Sequence, residues 1–257
     1  WDDDRRAASF VSARDSAARL FARYVASVTD GLPENGLPRN VRYAAALFEA
    51  LAAYGMNYVI DPASSFTELS GDASALDSLN YPYQTLYYRG GDCDDLSILY
   101  CALLEALEVD TAFITIPGHI YMAFDTGIEN GMAFNTGTEN SAVFAAGQDD
   151  VIAHGGRLWM PVEVTVPHEG FYRAWRIGAR EWRAALDGSL SGAGRQLYPM
   201  RESWTLYPPV TVPEAGDRPP ALPEKGEIER RFGKASEMLK RQVQPPEYPA
   251  APGMAGP

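Results

Sequence analysis

Cysteine is scarce in this chain: Cys93 and Cys101 are the only two among 257 residues. On one helix, eight residues apart, they would stand about 12 Å apart along the axis, beyond the reach of a disulfide. A disulfide scaffold is excluded, and a free thiol is available for chemistry. Basic residues are also short, with 22 Lys and Arg against 34 Asp and Glu and a net charge of −12. Phosphate binding needs clustered Lys and Arg, so nucleic acid is excluded as the main partner and basic peptides suit the charge better. No apolar run approaches the roughly 18 residues of a membrane span, and no signal-peptide pattern is present. The length suits one sizeable domain with or without appendages, and a hydrophobic fraction of 46% is that of an ordinary globular protein. The chain begins at Trp1 rather than at a methionine, the expected mark of a processed or cut product, so a leader or anchor upstream stays open.

What the chain does have is the stretch Arg89-Gly90-Gly91-Asp92-Cys93-Asp94-Asp95-Leu96, a thiol where a glycine loop turns into a helix. Leu96, Leu99, Tyr100, Leu103, Leu104 and Leu107 follow the i, i+3, i+4 rhythm of a buried helix face. Cys93 falls in or just before the first turn, where unpaired N–H groups and the helix dipole favour an anion. Thiolate nucleophiles are found in such places. Cys101, inside the apolar face, reads as a packed small hydrophobe.

Around this helix the patterning predicts an α+β domain over residues 1–207. Phe10, Val11, Ala18, Phe21, Val25 and Val28 predict a helix over about 4–28, broken by Gly31-Leu32-Pro33-Glu34-Asn35-Gly36. A second helix follows Pro38 and ends at Gly55, a fitting C-terminal cap. Residues 56–91 read as mixed, with a short strand at Tyr58-Val59-Ile60. Beyond the cysteine helix the period becomes two, giving strands at 111–116, 119–124 and 158–165. His119, Tyr121 and Ala123 share one face of the second; Trp159, Glu163 and Thr165 share the polar face of the third. A further helix is expected over about 170–186. Six prolines from Pro208 to Pro223, a charged helix at about 224–242 and a Pro/Ala/Gly tail make 208–257 read as a linker. The helix is expected to be solvated, the tail disordered, and a further domain to lie beyond it.

A cysteine nucleophile needs a base, and the base needs an orienting group. Of the three histidines, only His119 follows a turn into a strand; His154 and His168 read as surface residues. If the two later strands pair with like faces aligned, Glu163 can touch His119, and the helix start bearing Cys93 would pack over that face. The run GGDCDDLSILYCALLEALEVDTAFITIPGHIYMAF, followed by LWMPVEVT, resembles the core of the transglutaminase-like superfamily of papain-type cysteine enzymes. There a Cys begins a helix, a His begins a strand, and an acid ends the next strand in a Trp-x-x-x-Asp-x-Thr context. The resemblance covers about residues 80–165. It implies a papain-like core, a nucleophile helix packed on an antiparallel sheet with extra N-terminal helices, and a triad of Cys93, His119 and Glu163. Here Glu stands where the family usually has Asp. The longer side chain can still reach an imidazole N–H.

The implied reaction is acyl transfer on peptide or side-chain amides. Cys93 attacks, His119 protonates the leaving amine, and water or a lysine amine resolves the thioester. Bacterial members of the superfamily are more often hydrolases than crosslinkers, so the expectation is a cysteine peptidase or amidase acting on protein or peptide. A protein-glutamine transglutaminase and a catalytically silent peptide-binding module are the rival readings. Cell envelope and cytoplasm both stay open. Gln84 is the expected side-chain donor of the oxyanion hole, with Tyr83 and Tyr87 as competitors. Asp92, Asp94 and Asp95 would repel a negative sulfur unless they cap the free N–H groups of the first turn or ligate a cation. No cofactor is required, but DCDD resembles the flanked cysteine of calcium-dependent bacterial transglutaminase-like proteinases that cleave surface adhesins, and calcium takes clustered carboxylates.

Overall fold

The computed structural model describes residues 3–60, 79–130, 143–144, 150–186, 194–210, 220–241 and 243–244. The single N-terminal helix expected over 4–28 is two elements. A 3-10 helix, Asp4–Phe10, ends where Val11 turns extended, and α1 (Ser16–Asp30) begins where the Asp15 carboxylate accepts the Ala18 N–H at 2.9 Å. A side-chain cap restarts the chain in a new direction there, which apolar spacing alone does not register. Helix α2 (Arg39–Tyr54) starts after Pro38 and ends at Gly55, whose φ of 85° needs the freedom of glycine. The strand expected at Tyr58-Val59-Ile60 is β1 (Asn57–Tyr58), and a short helix that periodicity did not reveal, α3 (Pro82–Tyr88), follows the undescribed residues.

Strand β2 (Gly90–Gly91) pairs in parallel with β1 and delivers the chain into α4 (Cys93–Glu105). Then come β3 (Thr111–Ile116), β4 (His119–Glu129), β5 (Val143–Phe144), β6 (Ile152–His154) and β7 (Arg157–Val162). Helix α5 (Phe171–Leu186), β8 (Gln196–Pro199), α6 (Met200–Leu206), α7 (Lys225–Lys240) and β9 (Val243–Gln244) complete the described chain. The main sheet runs β6-β7-β4-β3-β8, antiparallel throughout, and β5 pairs with β9 separately. The architecture is thus a mixture of helices and an antiparallel sheet.

Both faces of that sheet are buried. Phe113, Ile120, Met122, Phe124, Met160 and Val162 join the main core with α1, α2 and α4. Ala112, Ile114, Tyr121, Ala123 and Trp159 form a second core closed by Trp182 and Ala185 of α5. Helix α5 comes so close that a Cβ at Gly178 would lie 3.1 Å from the backbone of Pro161, Val162 and Glu163. Only a residue without a side chain permits that approach.

Helix α7 is not the solvated appendage expected of a linker. It packs along α2 and buries Ile228, Phe232, Ala235 and Leu239 in the main core. Asn35 Nδ2 donates to Ser236 Oγ at 2.7 Å, and Arg231 stands 3.7 Å from the buried Glu49. Four apolar residues at helical spacing are a narrow stripe, easily outvoted by surrounding charge in composition. The expected tail, 245–257, lies outside the described residues.

Two predictions follow from these contacts. Phe232→Ala removes a buried aromatic side chain and should cost about 3–5 kcal/mol in denaturant unfolding; a loss below about 1 kcal/mol would return α7 to the solvent. Glu105, at the end of α4, accepts from Thr111 N at 2.8 Å and Thr111 Oγ1 at 2.7 Å, tying α4 to β3. Burial, outweighing the opposing Thr111 bonds, pushes its carboxyl from the ordinary 4.5 up to about 7. The folded state therefore holds this proton more tightly, and its stabilisation, full below pH 4.5, is lost as pH rises through about 7. Glu105→Gln keeps the acceptor and removes the titration. Relative to this variant, the wild type should lose about 3 kcal/mol of stability between pH 4.5 and 8; parallel stability curves would contradict the assignment.

Candidate active site

The cysteine is set by what surrounds its backbone. Asp92 caps α4 by accepting from Asp95 N at 3.4 Å, and Asp94 Oδ1 accepts from the same N–H at 2.8 Å. Asp95 reaches back to Asn80, taking its N–H at 2.7 Å and its Nδ2 at 2.6 Å. Helix capping, one of the two roles expected for these acids, describes the Asp92 bond at the start of α4, whereas Asp95 ties the helix to Asn80. Gly91 must be glycine: a Cβ there would collide with the Asp95 side chain. Ser97 Oγ donates to the Cys93 carbonyl at 2.6 Å, and Cys93 is left at the first position of the helix, 5% exposed.

His119 begins β4 directly after the Pro117-Gly118 turn, where Gly118 has φ 74°. Its ring stacks on Tyr121 at 5.7 Å between centroids. Strands β4 and β7 pair with Met122 opposite Val162, so the same register brings Glu163 beside Tyr121 on the face that carries His119. His119 Nε2 lies 2.7 Å from Glu163 Oε2. That nitrogen is taken by Glu163, and Cys93 lies close enough to the ring to act on it electrostatically. The structure thus brings Cys93, His119 and Glu163 together.

Glu163 is 2% exposed, and its other oxygen accepts from Thr165 N at 2.9 Å and Thr165 Oγ1 at 2.5 Å. Its own N–H donates to the Ala174 carbonyl of α5 at 3.0 Å. Both carboxylate oxygens are therefore fixed, and the extra methylene relative to Asp is absorbed. Burial raises the Glu163 carboxyl, but the bonds to His119 and Thr165 outweigh it and leave it below the ordinary value. Burial lowers the His119 pKa, while the hydrogen bonds and charges of Cys93 and Glu163 overcome it and lift it to about 10. The arrangement favours an imidazolium between a sulfur and a carboxylate.

Other expectations fare differently. Gln84 Oε1 accepts the Tyr81 N–H at 2.8 Å, so the side chain folds back to cap α3; among the described residues it makes no hydrogen bond to Cys93. Gln84 is the third residue of a helix, and the nearest unpaired N–H claims its carbonyl. Tyr83 donates its backbone N–H to Asp15 at 3.3 Å, and Tyr87 is exposed against Tyr88. His154 lies at 6.2 Å against Trp159, and His168 bonds Asn57 Oδ1 at 3.0 Å; among the described residues neither bonds Cys93, His119 or Glu163. Asp92, Asp94 and Asp95 each offer an oxygen within 4.8 Å of the others. Such hard, buried oxygens are the kind calcium takes, although the bonds above already engage them.

Two residues escaped sequence reasoning. Tyr58 faces the site: burial, then the charges of Cys93, Asp92, Glu163 and Asp94, raise its pKa. Glu181, from α5, has a carboxylate oxygen within 4.8 Å of both His119 and Glu163. Burial and Glu163 push it up to about 8. The signal for Glu181 was present, because Ala174, Gly178, Glu181 and Ala185 form one i, i+4, i+7, i+11 row and so put an acid in a stripe of small residues.

Iodoacetamide at neutral pH should modify one cysteine, Cys93. Cys101 is fully buried and its thiol is pushed far up by that burial. Gly91→Ala should slow the modification by about tenfold or more, because it displaces the Asp95 anchor beneath the sulfur. Peptide mapping and alkylation rates check both; labelling of Cys101 first would refute the assignment.

Comparison of the chain with family models, with curated proteins and with solved structures found no match.

Proposed function

We propose that this chain is a thiol-dependent acyl-transfer enzyme of the transglutaminase-like, papain-type kind, working as a peptidase or amidase through Cys93, His119 and Glu163. The observation that carries this reading is the His119 ring held at 2.7 Å by Glu163 and close enough to Cys93 for the thiol to raise its pKa. The proton passes from sulfur to Nδ1, and the sulfur attacks the amide carbonyl. The C–N bond breaks as His119 returns the proton to the leaving amine, leaving a thioester on Cys93. Water, losing a proton to His119, then releases the acid and restores the thiol. The oxyanion would be met by the Cys93 N–H at the start of α4 and by a side-chain donor, Gln84 Nε2 or the Tyr58 hydroxyl.

Exposed apolar side chains near the start of α4 favour a peptide substrate. Tyr58, Val59 and Ile60, in and after β1, and Tyr87 and Tyr88, at the end of α3, are all exposed. Val59 N donates to Gly91 O at 2.9 Å, which places this edge two residues from Cys93. A calcium ion, where one binds, would be held by Asp92, Asp94 and Asp95 and would offset carboxylate charge beside the sulfur. No step above depends on it.

Hydrolysis of a mixed peptide library by the wild type and none by Cys93→Ala is the expected outcome. Glu163→Gln should lower kcat by about 10²–10⁴ with a small change in KM, because the imidazole loses the carboxylate that orients it and stabilises its charge. Stable incorporation of a labelled amine into a glutamine donor, exceeding hydrolysis, would instead make the chain a transglutaminase. Absence of both reactions with alkylatable Cys93 would leave the peptide-binding module.

A further inference from the structure

We propose that Glu181 is a fourth member of this relay, a positioning residue that shares one proton with Glu163 and so fixes the carboxylate that orients His119. The proposal rests on the triad reading above. Three geometric observations carry it. The reacting atoms of His119, Glu163 and Glu181 lie within 4.8 Å of one another. Glu181 Oε2 is buried with no hydrogen-bond partner among the described residues. The contact is also built in: Gly178, three residues earlier on α5, lets the helix come so close that a Cβ there would lie 3.1 Å from the Glu163 backbone N, and the Tyr121 hydroxyl donates to the Gly178 carbonyl at 3.3 Å.

Two carboxylates this close in a dry site do not both ionise, because the second charge would meet the first with little water between them. A buried ionised oxygen without a partner is costly, whereas a protonated carboxyl removes that cost. The proton belongs to Glu181, since Glu163 is held ionised by His119 and by both donors of Thr165. A carboxylate has about four lone-pair sites. Glu163 spends three of them on those partners, leaving one for a donor from Glu181.

The groups facing Glu181 set how this pair responds to pH. Glu163 beyond β7 opposes its ionisation, as burial does; His119 on β4 and Arg180 on its own helix favour it. Tyr121 on β4 is pushed far up and stays neutral, with Arg195 before β8 acting on it in the opposite sense. Cys93 on α4 reaches the pair through the His119 ring. Near pH 8, where Glu181 gives up its proton, the Glu163–His119 pair loses a donor and gains a negative neighbour. His119 then holds its own proton more tightly and becomes a poorer acid toward the leaving amine.

The test is ¹⁵N NMR of the His119 ring from pH 6 to 10 in the full chain, beside the pH profile of kcat. In the wild type the ring shifts should show a step near pH 8 below the ring's own titration; Glu181→Gln, which keeps a donor and cannot ionise, should abolish it. The same variant should keep kcat at pH 7 within about threefold and extend the alkaline limb, while Glu181→Met should lose about tenfold in kcat with KM unchanged. A step that survives in Glu181→Gln, or equal behaviour of the Gln and Met variants, overturns the proposal. The NMR step needs no turnover, so a wild type with the step and no hydrolysis would overturn the enzyme reading and leave the shared proton standing.

Discussion

The hydrogen bond between His119 and Glu163, 2.7 Å long and almost sealed from solvent on the carboxylate side, is the constraint on which the rest of the site depends. It takes one ring nitrogen and thereby leaves the other for Cys93. Strand β7 ends just before it. Glu163 lies one residue past the ladder, where its backbone N–H turns to α5 and its side chain turns toward β4. Burying an ionised carboxylate is expensive unless it is paired and fully bonded. Here the cost is offset by three donors, His119 and the two of Thr165, and the same bonds remove the side chain's freedom to swing.

On the other side of the ring the problem is one of charge. Three aspartates stand within two residues of a sulfur proposed to become negative. Each accepts from a backbone or side-chain donor: Asp92 and Asp94 from Asp95 N, and Asp95 from Asn80. Each bond sets carboxylate charge against an N–H group. The imidazolium then balances what remains. Glycine makes this economy of space workable twice, at Gly91 under Asp95 and at Gly178 under Glu163.

Much of this was legible from residue order. The start of α4 at Cys93, the start of β4 at His119 and the direction of Glu163 all followed from local patterning, because capping acids, a Pro-Gly turn and period-two alternation are short-range signals. The second N-terminal helix was read to its capping glycine. Less legible were features whose partner lies far away in sequence. Gln84 read as a donor for the oxyanion, and the fold adds that its Oε1 is claimed by the Tyr81 N–H three residues away. Helix α7 read as solvated, although it buries Phe232 and Leu239 against helices nearly two hundred residues earlier.

By itself, then, the sequence determined which residues could do chemistry and on which element each one starts, since spacing and capping act over a few residues. Only the tertiary structure decided which of them meet. The register of β4 on β7 brings Glu163 to His119, and the close approach of α5 adds Glu181 behind it. Both depend on packing between segments tens of residues apart, where no local preference of the chain reaches.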